Sequence, residues 1–195
     1  MTDYSQTGEQ PVILSALRDI ETGRFLDIGS YHPTVFSNTR ALYELGWSGI
    51  MIEPSPGPMR SLLAEYGNEP RITLIQAAVA LAPGLVEMRI SDDAVSTADE
   101  KNYERWKTAG GFIGRMLVPG ITLVDIFGGF GGFDFINIDV EGGSAELFLK
   151  CLDLKVFPKC FCVEVDEGRL NEMMTKASAS GYTAKVLGAN LVLWQ

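Results

Sequence analysis

RFLDIGSYHP (24–33) and GIMIEP (49–54) decide how this chain folds. Each is a short apolar run that ends in a carboxylate, Asp27 in the first and Glu53 in the second. They stand about one strand–helix–strand unit apart. In a doubly wound fold this arrangement holds a nucleotide-like cofactor. A glycine at the mouth of the first strand lets the backbone approach the ligand, and a carboxylate ending the next strand accepts hydrogen bonds from ribose hydroxyls. Gly29 and Glu53 take those places here, with Asp27 entering the turn. Pro54 and the following prolines stop the second strand.

The turn lacks the later glycines of G-x-G-x-x-G, since positions 31 and 34 are Tyr and Thr. Those glycines serve a pyrophosphate lying against a helix N-terminus. Their absence argues against a nicotinamide dinucleotide and suits a cofactor without phosphates.

Outward from this pair, apolar runs alternate with helical patterns. Residues 11–22 read as a leading helix, and Ser37 is placed to cap a helix that stops at Gly46. Pro58 suits the first turn of a helix through RSLLAEYG (60–67). RITLIQAAVA (71–80) reads as the third strand and LVEMRIS (85–91) as another. MLVPGITLVDIF (116–127) leads into the glycine cluster at 128–132. FDFINIDV (133–140) is a strong buried strand, followed by a helix over 144–152, the strand KCFCVEV (159–165) and a helix over 168–181. Two strands around Gly188-Ala189-Asn190 close the chain as a hairpin. Such alternation predicts an α/β fold with a mostly parallel sheet and helices on both faces. The terminal hairpin adds one antiparallel strand. Residues 91–112 are polar, with a short helix expected from Thr97, and 91–120 read as a lid or insertion in one domain spanning 1–195.

Composition narrows the partners. The net charge is −9, with Lys and Arg scattered, which argues against nucleic acid and anionic membranes as partners. No apolar run reaches the ~18–20 residues of a membrane span. The polar, acidic start of the chain is unlike a signal peptide. Cys151, Cys160 and Cys162 read as reduced, core-filling thiols of a cytoplasmic protein. One His and three Cys in these places do not make a metal site, so none is expected.

Asp139 and Glu141 end the strand FINI and fall at the same sheet edge as Asp27 and Glu53, where ligands of parallel sheets bind. Spaced by one residue, they project to one side in extended geometry. They can bind an ammonium, accept a substrate proton or favour a sulfonium. The competing reading is acids that favour a helix N-terminus. His32 is the only histidine and follows the cofactor turn directly; it is either a general base or a turn residue beside Pro33. Tyr103, Trp106 and Phe112 either cover a substrate or form a small satellite core.

At this point the residues resemble a family. DIGSYHPTVFSNTRALYELGWSGIMIEPSPG (27–57) is similar to the start of the FkbM-type S-adenosylmethionine-dependent methyltransferases. FINIDVEG (135–142) resembles that family's Ile-Asp-Val-Glu-Gly signature, FCVEVDE (161–167) its following strand, and VPGITLVDIFGGF (118–130) the segment leading into it. The likeness runs in matching order over roughly 24–165. It implies a class I methyltransferase, Rossmann-like fold with a seven-stranded sheet, and usually methylation of oxygen. It implies that Asp27, Gly29, Ser30 and Tyr31 line the methionine side, Glu53 the ribose and Ala78 the adenine end, with Pro54 also among the cofactor-binding residues. Asp139 belongs to both the cofactor and the catalytic group. The family often carries a second Glu three residues after the one matched by Glu141; here Ser144 stands there, with Glu146 beyond it. The expected activity is methyl transfer from S-adenosylmethionine to a hydroxyl of a small molecule or glycan, leaving S-adenosylhomocysteine. The base candidates are Asp139, Glu141 and His32, in that order. A non-catalytic binding module and a nicotinamide-dependent oxidoreductase are the alternatives.

Overall fold

The structure is a computed structural model and describes residues 2–91, 94–109 and 111–195. In chain order the elements are α1 (Glu9–Ala16), β1 (Arg24–Ile28), α2 (Arg40–Glu44), β2 (Ser48–Ile52), α3 (Pro56–Tyr66), β3 (Ile72–Ile75), β4 (Ala78–Val79) and β5 (Gly84–Ser91). There follow α4 (Glu100–Trp106), β6 (Phe112–Ile121), α5 (Leu123–Phe130), β7 (Phe135–Ile138), α6 (Ser144–Asp153), β8 (Cys160–Glu164), α7 (Leu170–Ala179), β9 (Thr183–Leu187) and β10 (Asn190–Trp194).

The strands that read as continuous apolar runs lie at the centre, where both faces are covered. Seven of them form a sheet in the order β3-β2-β1-β7-β8-β10-β9. The pairs from β3 through β8 are parallel, and β10 runs antiparallel to both of its neighbours. Strand alternation divides the central residues between two cores. Leu26, Ile136, Ile138, Phe161 and Val163 pack on one face against α5, α6 and α7. Phe25, Phe135, Cys160, Cys162 and Val192 pack on the other, under α1, α2 and α3. All three cysteines are buried free thiols, as expected from their apolar settings.

Several expectations shift. The leading helix begins at Glu9 and ends at Ala16. The helix expected from Pro58 starts at Pro56, which occupies the position where a missing N–H costs nothing. RITLIQAAVA is not one strand. It breaks after Ile75, and Ala78–Val79 joins a second, three-stranded sheet in the order β4-β6-β5. Of its three strands only β6 comes from the expected insertion, of which Asp92, Asp93 and Gly110 lie outside the described residues. β5 and β6 pair over their length, from Gly84 opposite Gly120 to Ser91 opposite Phe112. Pro119 concealed β6 as a strand. It is tolerated because β4 is only two residues long and pairs from Gly120 onward, so Pro119 forfeits no bond to it. The short helix starts at Glu100 with Asp99 accepting from the Asn102 N–H, while Thr97 bridges to Arg89. α5 takes in Gly128 and Gly129. Its start is marked by a reciprocal Thr122–Asp125 capping box, a signal readable as T-x-x-D before an apolar run.

Among the described residues, no helix is long and apolar enough to cross a membrane. Phe161 packs edge-on against Phe148 at 5.3 Å and Tyr182 at 5.5 Å, joining β8 to α6 and to the segment before β9. Phe161→Ala removes that junction, and denaturant unfolding is expected to show a loss of about 3–5 kcal/mol.

Candidate active site

Register places Asp27, Asn137 and Cys162 side by side across β1, β7 and β8, on one face of the sheet. A carboxylate buried there needs donors. Thr39 Oγ1 donates to Asp27 Oδ2 at 2.6 Å, and Asn137 Nδ2 donates to Asp27 Oδ1 at 2.8 Å. Burial raises the Asp27 pKa, with these hydrogen bonds opposing the rise. Asp27 therefore holds the turn that follows it, and both its oxygens are occupied by the protein. Ser30 Oγ ties back to the Asp27 carbonyl at 2.9 Å, and the Gly29 and Ser30 amides donate to Ile52 O at the end of β2.

Gly29 has φ +84°, and a Cβ built on it would lie 1.7 Å from the Asp139 carbonyl oxygen. Only glycine lets the β1 turn and the end of β7 approach so closely. Tyr31 and His32, two and three residues on, stand with ring centroids 6.1 Å apart. His32 Nδ1 accepts from the backbone amides of Thr34 and Val35, at 3.2 and 3.1 Å. With Nδ1 an acceptor, the neutral ring carries its proton on Nε2. His32 thus shapes the turn and offers a donor rather than a base.

Glu53, just past β2, is buried, and its Oε1 accepts from the Ser55 amide at 2.7 Å. Burial lifts its pKa to about 7, with the Ser55 hydrogen bonding opposing and the Asp27 charge adding to the rise. Ser55 Oγ, also buried, has no hydrogen-bond partner among the described residues.

The third group lies beyond β7. The strand stops at Ile138, so Asp139 and Glu141 do not lie along extended backbone. Glu141 has φ +54° and is followed by Gly142 and Gly143, both also positive. The turn brings Asp139 and Glu141 together with Glu164 from the end of β8, and an oxygen of each lies within 4.8 Å of the others. Burial, then the neighbouring Glu164 charge, raises Asp139 well above the usual carboxylate range. The same causes push Glu141 to about 8, with Arg105 opposing. Glu164 is raised too, mainly by burial. Three such carboxyls together retain protons or meet a cation. Glu164 was the member that sequence reading missed; its signal was a third strand-end acid in FCVEVDE.

Neighbours hold this turn in place. Thr97 Oγ1 donates to the Glu141 carbonyl at 2.6 Å, and Asn102 Nδ2 reaches Glu141 Oε2 at 3.5 Å. A Cβ on Gly142 would come 2.7 Å from Asp99 Cβ, so the β5–α4 segment lies flush on the turn. Ser144 Oγ accepts from the Val140 amide at 3.1 Å and lies 3.3 Å from Glu164 Oε2, toward which it donates. Ser144 therefore supports the acidic cluster from behind. Glu146 lines the cavity and pairs with Arg169 at 3.8 Å. The α6 N-terminus is served by Asp166, which accepts from the Gly143 and Ala145 amides, so the strand-end acids are not its caps.

One cavity of about 480 Å³ joins these groups. Asp27, Gly29, Ser30, Tyr31, His32, Glu53, Pro54, Ala78, Asp139 and Glu141 all line it, as do Asn38 and Ser55, which sequence reading passed over. Trp106 lines it as well, whereas Tyr103 and Phe112 pack on each other at 5.0 Å. Thus one of the three insertion aromatics faces the cavity and two form a satellite contact.

The strand order, the single antiparallel strand and the glycine turn at the sheet edge define a class I methyltransferase fold. The Methyltransferase FkbM domain matches residues 27–174, and the chain belongs to that family. Structural likeness agrees. The FkbM methyltransferase of Methylobacillus flagellatus superposes with a TM-score of 0.57 at 12% identity, over 90% of this chain and 44% of that one. This chain therefore spans less than half the length of that relative. The C-terminal domain of a precorrin-6Y C5,15-methyltransferase from Rhodobacter capsulatus gives a TM-score of 0.51 at 15% identity, over 95% of this chain and 86% of that one. A putative caffeoyl-CoA O-methyltransferase from Staphylococcus aureus gives 0.51 at 11%, over 100% and 85%. No curated protein sequence matches the chain.

The raised carboxyls set a pH dependence. Glu53 binds its proton more tightly folded (about 7) than unfolded (4.5). The stability this gives is full below pH 4.5 and lost as pH climbs through 7. Glu53→Gln removes the dependence. Thermal melts are expected to show the variant gaining on wild type from pH 5 to pH 8, by on the order of 1–3 kcal/mol at the upper end.

Proposed function

We propose that the chain binds S-adenosylmethionine in this cavity and methylates a hydroxyl oxygen of a small molecule or sugar. The observation that carries the reading is the pairing of Glu53 with Ser55 at the end of β2. A desolvated carboxylate that lines the cavity, with one oxygen held by the Ser55 amide, is suited to accept from two ribose hydroxyls. Ala78 and the Gly29–Tyr31 turn border the same cavity, and the family resemblance supports reading them as the adenine and methionine ends. The absence of phosphate-binding glycines fits a cofactor with no phosphate. When bound, that cofactor supplies a methyl group already activated on a sulfonium.

The residues then have limited chemical work. They orient the acceptor, exclude water and take up one proton. Glu141 is the base we favour over Asp139, reversing the order expected from sequence. Asp139 lies against Glu164 at the buried side of the cluster, whereas Glu141, with a pKa near 8, is matched to accepting a proton close to neutrality. His32 is set aside because Nδ1 is engaged by its own turn. An acidic rim favours a neutral, hydroxyl-bearing acceptor over a phosphorylated one.

Calorimetry tests the cofactor. S-adenosylhomocysteine is expected to bind wild type and to lose about 10–100-fold in affinity in Glu53→Ala. No binding to wild type, or a thermal shift with NAD alone, would overturn the reading. With an acceptor in hand, Glu141→Gln is expected to lower kcat by roughly 10²–10⁴ while cofactor affinity stays within a few fold. An unchanged kcat would remove Glu141 from the role of base.

A further inference from the structure

One sheet edge is left open. The outermost strands of the two sheets are β3, β9, β4 and β5. β4 is two residues long and β3 four, while β9 carries Lys185 and accepts from Thr7 Oγ1 at its Leu187 carbonyl, at 3.0 Å. Shortness, a lysine and a covering side chain all discourage strand addition. β5 is eight residues long and is covered only toward its end. There Arg89 exchanges backbone hydrogen bonds with Thr97, at 2.8 and 3.0 Å, on the side away from β6. In an antiparallel ladder, successive residues turn both backbone groups alternately to one neighbour and to the other. Leu85 and Glu87 therefore turn theirs outward as Arg89 does, and these groups meet no partner among the described residues. The Leu85 side chain is also 71% exposed.

We propose that β5 pairs antiparallel with β5 of a second copy of this chain, about a two-fold axis at Val86. Register selects this partner. The open stretch runs from Gly84 to Met88, and centred on Val86 it is its own complement. Leu85 falls opposite Glu87 of the second copy, a pair that exchanges hydrogen bonds in both directions, and the two-fold axis repeats it. The ladder also stops where it should. Arg89, already held by Thr97, falls opposite Pro83 of the second copy, which has no N–H to offer. Charge permits the approach. Each molecule carries a net charge of −9, yet Glu87 lies 3.6 Å from Arg115, so this edge is locally neutral. On the opposite face of the strand the two Val86 side chains meet as a β-branched pair. Val86 and Met88 line the cavity, so the second copy abuts its wall. The pairing is independent of the cofactor reading.

Sedimentation velocity on the purified chain, from about 1 µM to about 1 mM, is expected to show a reversible dimer with a Kd of roughly 1–100 µM, as suits a small interface. Glu87→Pro removes an outward donor and leaves the bonds to β6 intact. It is expected to weaken the dimer about tenfold or more. Should that variant not fold, cross-linking decides. Val86→Cys sets two thiols across the axis with Cα atoms about 4.5 Å apart, within reach of a disulfide. The native cysteines are buried and do not compete. Mild oxidation is expected to give a covalent dimer from Val86→Cys and none from Leu117→Cys, which is exposed on β6, one strand further from the axis. A chain that stays monomeric at the highest concentration overturns the proposal, as does a dimer that Glu87→Pro leaves unchanged. Cross-linking through Leu117→Cys but not Val86→Cys puts the contact on the sheet face and overturns it too. So does a monomer that sediments with phosphatidylcholine–phosphatidylglycerol vesicles, which assigns Leu85 and Leu117 to a lipid surface.

Discussion

The structure depends on how one buried carboxylate is satisfied. Asp27 sits buried near the end of the central strand β1, and its cost there must be met by donors. Thr39 supplies one from the start of α2 and Asn137 supplies the other from β7. Those two bonds fix the helix that follows the cofactor turn and the strand beside it. They also set the polarity of every amide further along the row. The β1 turn then closes on β7 so tightly that Gly29 has no room for a side chain against the Asp139 carbonyl. Cavity, turn and acidic cluster follow from that junction.

A second constraint is charge. Glu53, Asp139, Glu141 and Glu164 all end strands or follow them closely, and each is raised by burial before any neighbour acts. Such crowding opposes folding at alkaline pH and is tolerated where a ligand cation or a protonation step makes use of it. The β5–α4 segment contributes by covering the Glu141 turn and bonding its carbonyl through Thr97. What reads in sequence as a polar insertion is therefore part of the cavity wall.

Much of this was legible in order of residues. FLDI, GIMIE and FINI are apolar runs bounded by turn residues, and their burial follows from composition alone. The acids at their ends share an edge because parallel strands point the same way. By contrast, β6 carries glycines and a proline and owes its existence to pairing with β5, so no local pattern announced it. Ser144 looked like a departure at a functional position, yet it supports Glu164 through a hydroxyl. Glu164 and Asn38 were passed over for one reason: each becomes informative only beside residues far away in the chain. Asn38 meets Asn137 across 99 positions and Cys162 across 124.

The sequence by itself determined the alternation of strands and helices, the glycine turn without phosphate glycines, and the acids at strand ends. Each is written in a few neighbouring residues through backbone sterics, side-chain period and capping chemistry. The tertiary structure alone decided which acids meet, that His32 caps its own turn, and that Asp27 is consumed by protein donors. Those outcomes depend on strand register and on hydrogen-bond polarity passed between strands. Neither is contained in any short stretch of the chain.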